Sequence, residues 1–191
     1  KVTFVPEPGF TGTAQGVTVS LTAPVGRDKD GTVRDEYLKT ATAKYTPTVT
    51  PITITPTDKV SEDIQNVPQT QTPTFELSND KTAKITSKKL VDPATGQPTD
   101  ETTVTVPGEG TYTIDPTTGA VTFTPEPDFV GTAKGVKVQA TATITNAKGE
   151  TSTITAEASY TPTVKSAAPT AKPATSKDIQ GATQTGTPTF A

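Results

Sequence analysis

Between residues 72 and 160 apolar and polar side chains alternate in short runs, the period-two signature of strands with one face buried. TPTFEL (72–77) and AKITSKKLV (83–91) come first, followed by the turn sequence DPATG (92–96). TTVTV (102–106) turns Val104 and Val106 to one side, and GTYTID (110–115) does the same with Tyr112 and Ile114. A second turn, DPTTG (115–119), leads into AVTF, with Val121 and Phe123 inward. Val136, Val138, Ala140, Ala142 and Ile144 then alternate along one long strand. Ile154, Ala156, Ala158 and Tyr160 return along the same face after a hairpin turn at Lys148-Gly149. No stretch carries a helical period. The pattern predicts an all-β, Ig-like antiparallel sandwich of about seven strands.

The phrase KVTFVPEPGFTGTAQGV (1–17) returns as AVTFTPEPDFVGTAKGV (120–136), an offset of 119 residues. YTPTV (45–49) returns at 160–164 and SEDIQNVPQTQTPTF (61–75) as SKDIQGATQTGTPTF (176–190), both offset by 115. The four extra residues of the first copy fall between Val19 and Tyr45, where it has the longer hairpin. A fixed period with length changes confined to one loop marks a tandem repeat. Residues 1–49 are then the C-terminal half of one repeat, 61–164 a complete repeat, and 176–191 the start of a third. The segments 50–60 and 165–175, rich in Pro, Thr and Ala, are expected as short extended linkers. Half a sandwich cannot bury a core alone, so 1–49 is expected to pair with another segment or borrow strands from a neighbour. The PEP-F-G element is expected to be a corner. Its prolines stop the strand, Phe10 or Phe129 turns back to the core, and Gly12 or Gly131 allows the tight turn.

Composition sharpens this picture. Threonine supplies 45 of 191 residues, whereas Leu, Ile, Val and Phe together supply 35. β-Branched residues favour strands, and so small an apolar share predicts thin cores. The net charge of −3 lacks the imbalance typical of disordered chains and offers no basic face for nucleic acid. Lys81, Lys84, Lys88 and Lys89 are the one basic cluster, expected as a solvated strand face. No apolar run is long enough to insert in a membrane. The chain has no His and no Cys, so it lacks the commonest general base, thiol chemistry and the usual zinc ligands.

The remaining chemical motifs have structural readings. Ser78-Asn79-Asp80-Lys81 matches S-x-x-K but lies between strands instead of on the helix that the motif needs. Asp28-Lys29-Asp30-Gly31 resembles part of a calcium loop, yet Gly26 and Tyr37 occupy the first and twelfth positions. The second copy has Asn146-Ala147-Lys148-Gly149 there, so both are expected as hairpin turns. Glu62, Asp63 and Asp178 are the acids that a junction calcium would use. Asp92, Asp115, Glu7 and Glu126 are expected in turns, not as a catalytic carboxylate pair. A Lys–Asn isopeptide bond would draw on Asn66, Asn79 or Asn146, all in loop contexts, and on lysines such as Lys1 and Lys44, which the second copy replaces. The sequence therefore predicts no catalytic, cofactor-binding or metal-binding residue and no enzyme.

TQTGTPTF, KLVDPATGQP, VTVPGEGTYTIDPTTGAVTFTPEPDFVGTA and YTPTV resemble the CshA-type fibril repeat of streptococcal, Gram-positive surface adhesins. More distantly, the VTFTPEPDFVGTA corner is similar to bacterial cadherin-like and Ig-like surface repeats. The resemblance spans 61–164 and both partial copies. It implies an extracellular, wall-anchored fibril whose repeats form a stalk, carry an adhesive region outward and serve adhesion and biofilm formation. The expected partners are neighbouring repeats of the same chain and neighbouring fibrils. The second reading is a module that itself binds host matrix protein or glycan, with the charged hairpin at 21–40 as its surface.

Overall fold

The computed structural model describes residues 1–190. Strands dominate, and the single helical turn among them is the 3-10 turn Asp35–Tyr37. The chain divides into two units: Lys1–Pro56 with Phe75–Ser87 and Ala140–Ala156, and Thr57–Thr74 with Lys88–Gln139 and the residues from Glu157 onward.

Residues 69–165 form two facing sheets. One sheet places Thr103–Val106, Gly110–Ile114, Val121–Pro125 and Gln69–Gln71 side by side, each pair antiparallel. The other has the order Gln97–Pro98, Ala83–Asp92, Val136–Thr145, Thr151–Lys165 and Gly131–Thr132. Tyr112 and Phe123 stack at 4.7 Å in the first sheet. The ring of Tyr160, from the second sheet, meets Tyr112 edge-on at 6.3 Å. Leu90, Val121, Val138 and Val164 close the core around them, fully buried. Each such side chain contributes about 1.5–3 kcal/mol, which lets a small core suffice. The outward faces carry threonines bonded across strands, such as Thr103 to Thr113 and Thr70 to Thr122.

Lys59–Ile64 joins the edge of Thr151–Lys165 in parallel, pairing Tyr160 with Lys59 and Val164 with Asp63. Alternation did not predict this strand, because its apolar residue Val60 faces solvent. Polar groups hold it instead. Asp58 accepts from the Ser159 amide at 2.7 Å, and the Gln65 amide donates to the Lys165 carbonyl at 2.9 Å.

In the first unit, Val17–Pro24 and Leu38–Tyr45 form an eight-residue antiparallel hairpin. Gly12–Thr13 bridges Thr48–Val49, just as Gly131–Thr132 bridges Thr163 and Val164. The repeat extends to backbone geometry. Gly16 and Gly135 share a left-handed φ, and a Cβ on either would lie 2.3 or 2.5 Å from the carbonyl of Tyr45 or Tyr160. Burial does not repeat. Val17, Leu21 and Tyr45 are 51%, 69% and 43% exposed, whereas Val136, Ala140 and Tyr160 are 4%, 0% and 0%. Along this hairpin Val17, Val19, Leu21 and Tyr45 are all exposed.

Residues 50–60 are extended and hydrogen-bonded. Thr53 exchanges bonds with Ser78 through its amide and carbonyl, and Ile54–Thr57 pairs with Thr74–Leu77.

Candidate interaction surfaces

The turn motifs form closed local networks. Asp115 accepts from the Thr117 amide at 2.8 Å and the Thr118 hydroxyl at 2.9 Å. These bonds hold its carboxyl below the usual range, the Thr117 amide contributing most. Asp92 caps the Ala94 amide in the same way. Glu126 accepts from the Gly108 amide. Ser78 accepts from Thr53, and Asn79 from the Lys81 amide, so S-x-x-K is a bonded turn. In the basic cluster, Lys88 donates to the Thr118 carbonyl and Lys89 pairs with Asp100.

Asp28 anchors the long hairpin tip by accepting from Arg34 and, at 2.8 Å, from the Tyr37 hydroxyl. Asp30 caps the Thr32 amide, which keeps its pKa below the ordinary value. Of the junction acids, Glu62 pairs with Lys165, while Asp63 and Asp178 each cap the amide that follows them. Among the described residues no three His, Cys, Asp or Glu side chains gather as a metal site. Phe129 is half-buried and meets Phe123 edge-on at 6.3 Å, whereas Phe10 meets Phe4 at 6.1 Å with both rings over one-third exposed.

Two constellations escaped the sequence reading. The first lies in the first unit, where the Pro6–Phe10 corner faces the turn of the 136–145 and 151–165 strands. Asn146 Nδ2 donates to the Pro6 carbonyl at 2.9 Å and to Glu150 at 2.8 Å. Its Oδ1 accepts from the Lys148 and Glu150 amides, fixing the turn. Lys148 reaches Glu7 at 3.2 Å, and that carboxylate raises the lysine pKa above its ordinary value. Beside these bonds Phe10, Val49, Ile52 and Ile144 line a mainly apolar cavity of about 320 Å³. The corner thus carries polar and apolar contacts between residues 6–52 and the turn at 144–150. Sequence alone pairs residues within a repeat period and carries no signal for contacts across it.

The second constellation lies in the second unit. Ser61 is hydrogen-bonded to Gln69 and, at 2.7 Å, to the Tyr160 hydroxyl. Gln69, buried, donates onward to the Thr163 carbonyl at 3.0 Å. The repeated spacing of Ser61 to Gln69 and Ser176 to Gln184 was the available signal. Glu109 is buried as well, accepting from the Lys134 amide at 2.9 Å.

A shallow groove of about 320 Å³ on the second unit is bordered by Asp92, Lys134, Ser159 and the Lys137–Glu157 ion pair. Lys137 pairs with Glu157 and Lys134 with Glu109, while Asp92 is engaged in its own turn, which leaves little strong binding capacity.

A family model for the surface adhesin CshA repetitive domain matches residues 51–164. No curated protein matches the chain.

Proposed function

Because the chain belongs to the family of surface adhesin CshA repetitive domains, we propose that it is a stalk segment of a wall-anchored surface fibril. The fibril projects an adhesive region for host or interbacterial adhesion and biofilm formation. The family is one of cell-surface adhesin repeats and is not an enzyme family. The observation that carries the stalk reading is the junction itself. Asn146 and Lys148 grip the Pro6–Glu7 corner of the preceding repeat, while Thr53 and Ser78 pin the intervening segment. Such contacts let neighbouring modules bear on one another, as a linear array requires.

The second reading, direct ligand binding, draws on the hairpin tip that Asp28, Arg34 and Tyr37 hold in shape. That tip belongs to one copy only, so it would serve a copy-specific contact. Surface plasmon resonance of the purified chain over immobilised matrix proteins and glycans separates the two. The stalk reading expects no saturable binding at micromolar concentration. Saturable binding lost on replacing the 27–34 tip with the 146–149 turn would make this chain an adhesive module.

A further inference from the structure

Tension along the chain enters the complete repeat through Lys59–Ile64 and leaves it through the 160–165 end of Thr151–Lys165, and these two strands are neighbours. They run parallel, pairing Tyr160 with Lys59 at one end and Lys165 with Ile64 at the other. Direction decides how such a pair responds to a pull. Antiparallel strands would have their loaded ends side by side, so their bonds would open one after another. Parallel strands have their loaded ends at opposite ends of the pair. A pull toward the N-terminus at residue 58 and toward the C-terminus at residue 166 slides one strand along the other. All the bonds that cross between them are then strained together.

Polar groups brace the pair along its length. Asp58 accepts from the Ser159 amide where it begins, and the Lys165 carbonyl accepts from the Gln65 amide where it ends. Gln65 reaches further, its Oε1 accepting from the Ala167 amide at 3.0 Å. Glu62 and Lys165 form an ion pair across the strands. Between the ends, Ser61 bonds to the Tyr160 hydroxyl and to Gln69, and Gln69 donates to the Thr163 carbonyl. Gln69 belongs to the facing sheet, so this contact ties the pair to the core. Pro162 lacks a donor but weakens nothing here, since its carbonyl accepts from Ala133 on the opposite edge at 3.0 Å. Apolar packing adds little, because Val60 and Ile64 are 73% and 48% exposed.

We propose that the 59–64 and 160–165 pair is a mechanical clip, which carries the tension passing through a repeat and opens before the core does. With six residues in its shorter strand it is small, so the load it holds stays modest. Its strength is directional: it resists sliding and yields to peeling. Upstream, the pairing of Ile54–Thr57 with Thr74–Leu77 meets the tension first, and a pull attached at residue 57 bypasses it. The clip rests on the stalk reading for the load it would bear in use, but its directional strength belongs to the repeat whatever the array serves.

The chain has no cysteine, so pairs of introduced thiols set the direction of pull on the full chain. Thr57→Cys with Ser166→Cys loads the clip along its length. Thr57→Cys with Glu157→Cys loads the same strand against its neighbour at one end, where Asp58 meets Ser159, and peels it. All three positions are exposed, and Glu157 gives up only a weak surface ion pair. Ser159→Cys is the second choice of handle, because Ser159 meets Asp58 through its amide and not its side chain. At constant force the peeling pair should open at least about tenfold faster, since bonds of ~1 kcal/mol break singly instead of together. Ser61→Ala should speed opening about tenfold in the sliding direction and far less in the peeling direction. Surface binding to matrix proteins reads the stalk role separately, and neither result decides the other. Equal opening rates in the two directions overturn the clip, as does a Ser61→Ala effect of the same size in both.

Discussion

Each threonine-rich strand places its few apolar side chains on one face, so individual core residues carry disproportionate weight. Tyr112 shows both sides of this. Its ring packs between Phe123 and Tyr160, yet its hydroxyl is buried with no hydrogen-bond partner. Burial chiefly pushes its pKa up, Glu109 and Tyr160 adding to the effect, while the Gly135 backbone opposes it without making a full bond. Tyr160 is also raised by burial, offset in part by its bond to Ser61. Both phenols keep their protons in the fold beyond the ordinary value of 10.0, whereas the unfolded chain releases them there. The stability present below that value is therefore lost as pH rises past it toward the folded values. Denaturant midpoints measured at about pH 9 and about pH 11 should show this loss, and Tyr112→Phe should make it shallower. Near neutral pH the same substitution should leave stability unchanged or raise it by about 1 kcal/mol, since it removes an unpaired buried hydroxyl. A midpoint lowered at both pH values would mean that the hydroxyl does find a partner. The inward positions of Tyr112, Phe123, Val138 and Tyr160 were legible from alternation alone, because a period of two assigns faces without further information. The Ser61–Gln69–Tyr160 contact was not, since polar residues at a strand edge carry no periodic signal.

Among the elements, the turns were the most readable, because Asp-Pro and left-handed glycines constrain the backbone locally. Gly96 and Gly119 close the two DPxTG turns by donating to Asp92 and Asp115 at 2.8 and 2.7 Å. The 59–64 strand and the corner-to-hairpin contact were illegible, since they depend on residues 101 and 140 positions away. That contact can be separated into its parts. Asn146→Asp keeps the oxygen that fixes the turn but loses the amide donor, and it sets a carboxylate against the Pro6 carbonyl and Glu150. Amide exchange should then quicken at Phe10, whose amide bonds to Glu7 within the corner, while Gly149 and Glu150 in the turn remain protected. Lys148→Ala should quicken Phe10 less, because an exposed ion pair is worth little. Added salt should reproduce the lysine effect but not the asparagine one. Equal effects from both substitutions would make the ion pair, and not the amide bond, the principal contact.

For the whole molecule the question is whether load is borne module by module or shared along the array. The complete repeat buries its own aromatic centre of Tyr112, Phe123 and Tyr160, which favours independent beads. The strands Ala83–Asp92, Val136–Thr145 and Thr151–Lys165 nevertheless contribute residues to both compact units. Pulling a tandem array built from this chain decides between these behaviours. Each 115-residue period, once unfolded, spans about 390 Å at ~3.4 Å per residue. Beads with separate cores should give a sawtooth of equal steps close to that length, less the folded span of one module. Thin cores place each rupture at modest force, and Asn146→Asp should leave the step length unchanged while lowering the force if the junction shares the load. A smooth extension with no steps would mean that the repeats do not fold as separate units, and that the array resists stretching as one continuous β-structure or as a loose tether. Repeating the pull with excised 61–164 separates these last two, because only a self-sufficient module retains a cooperative rupture outside the array.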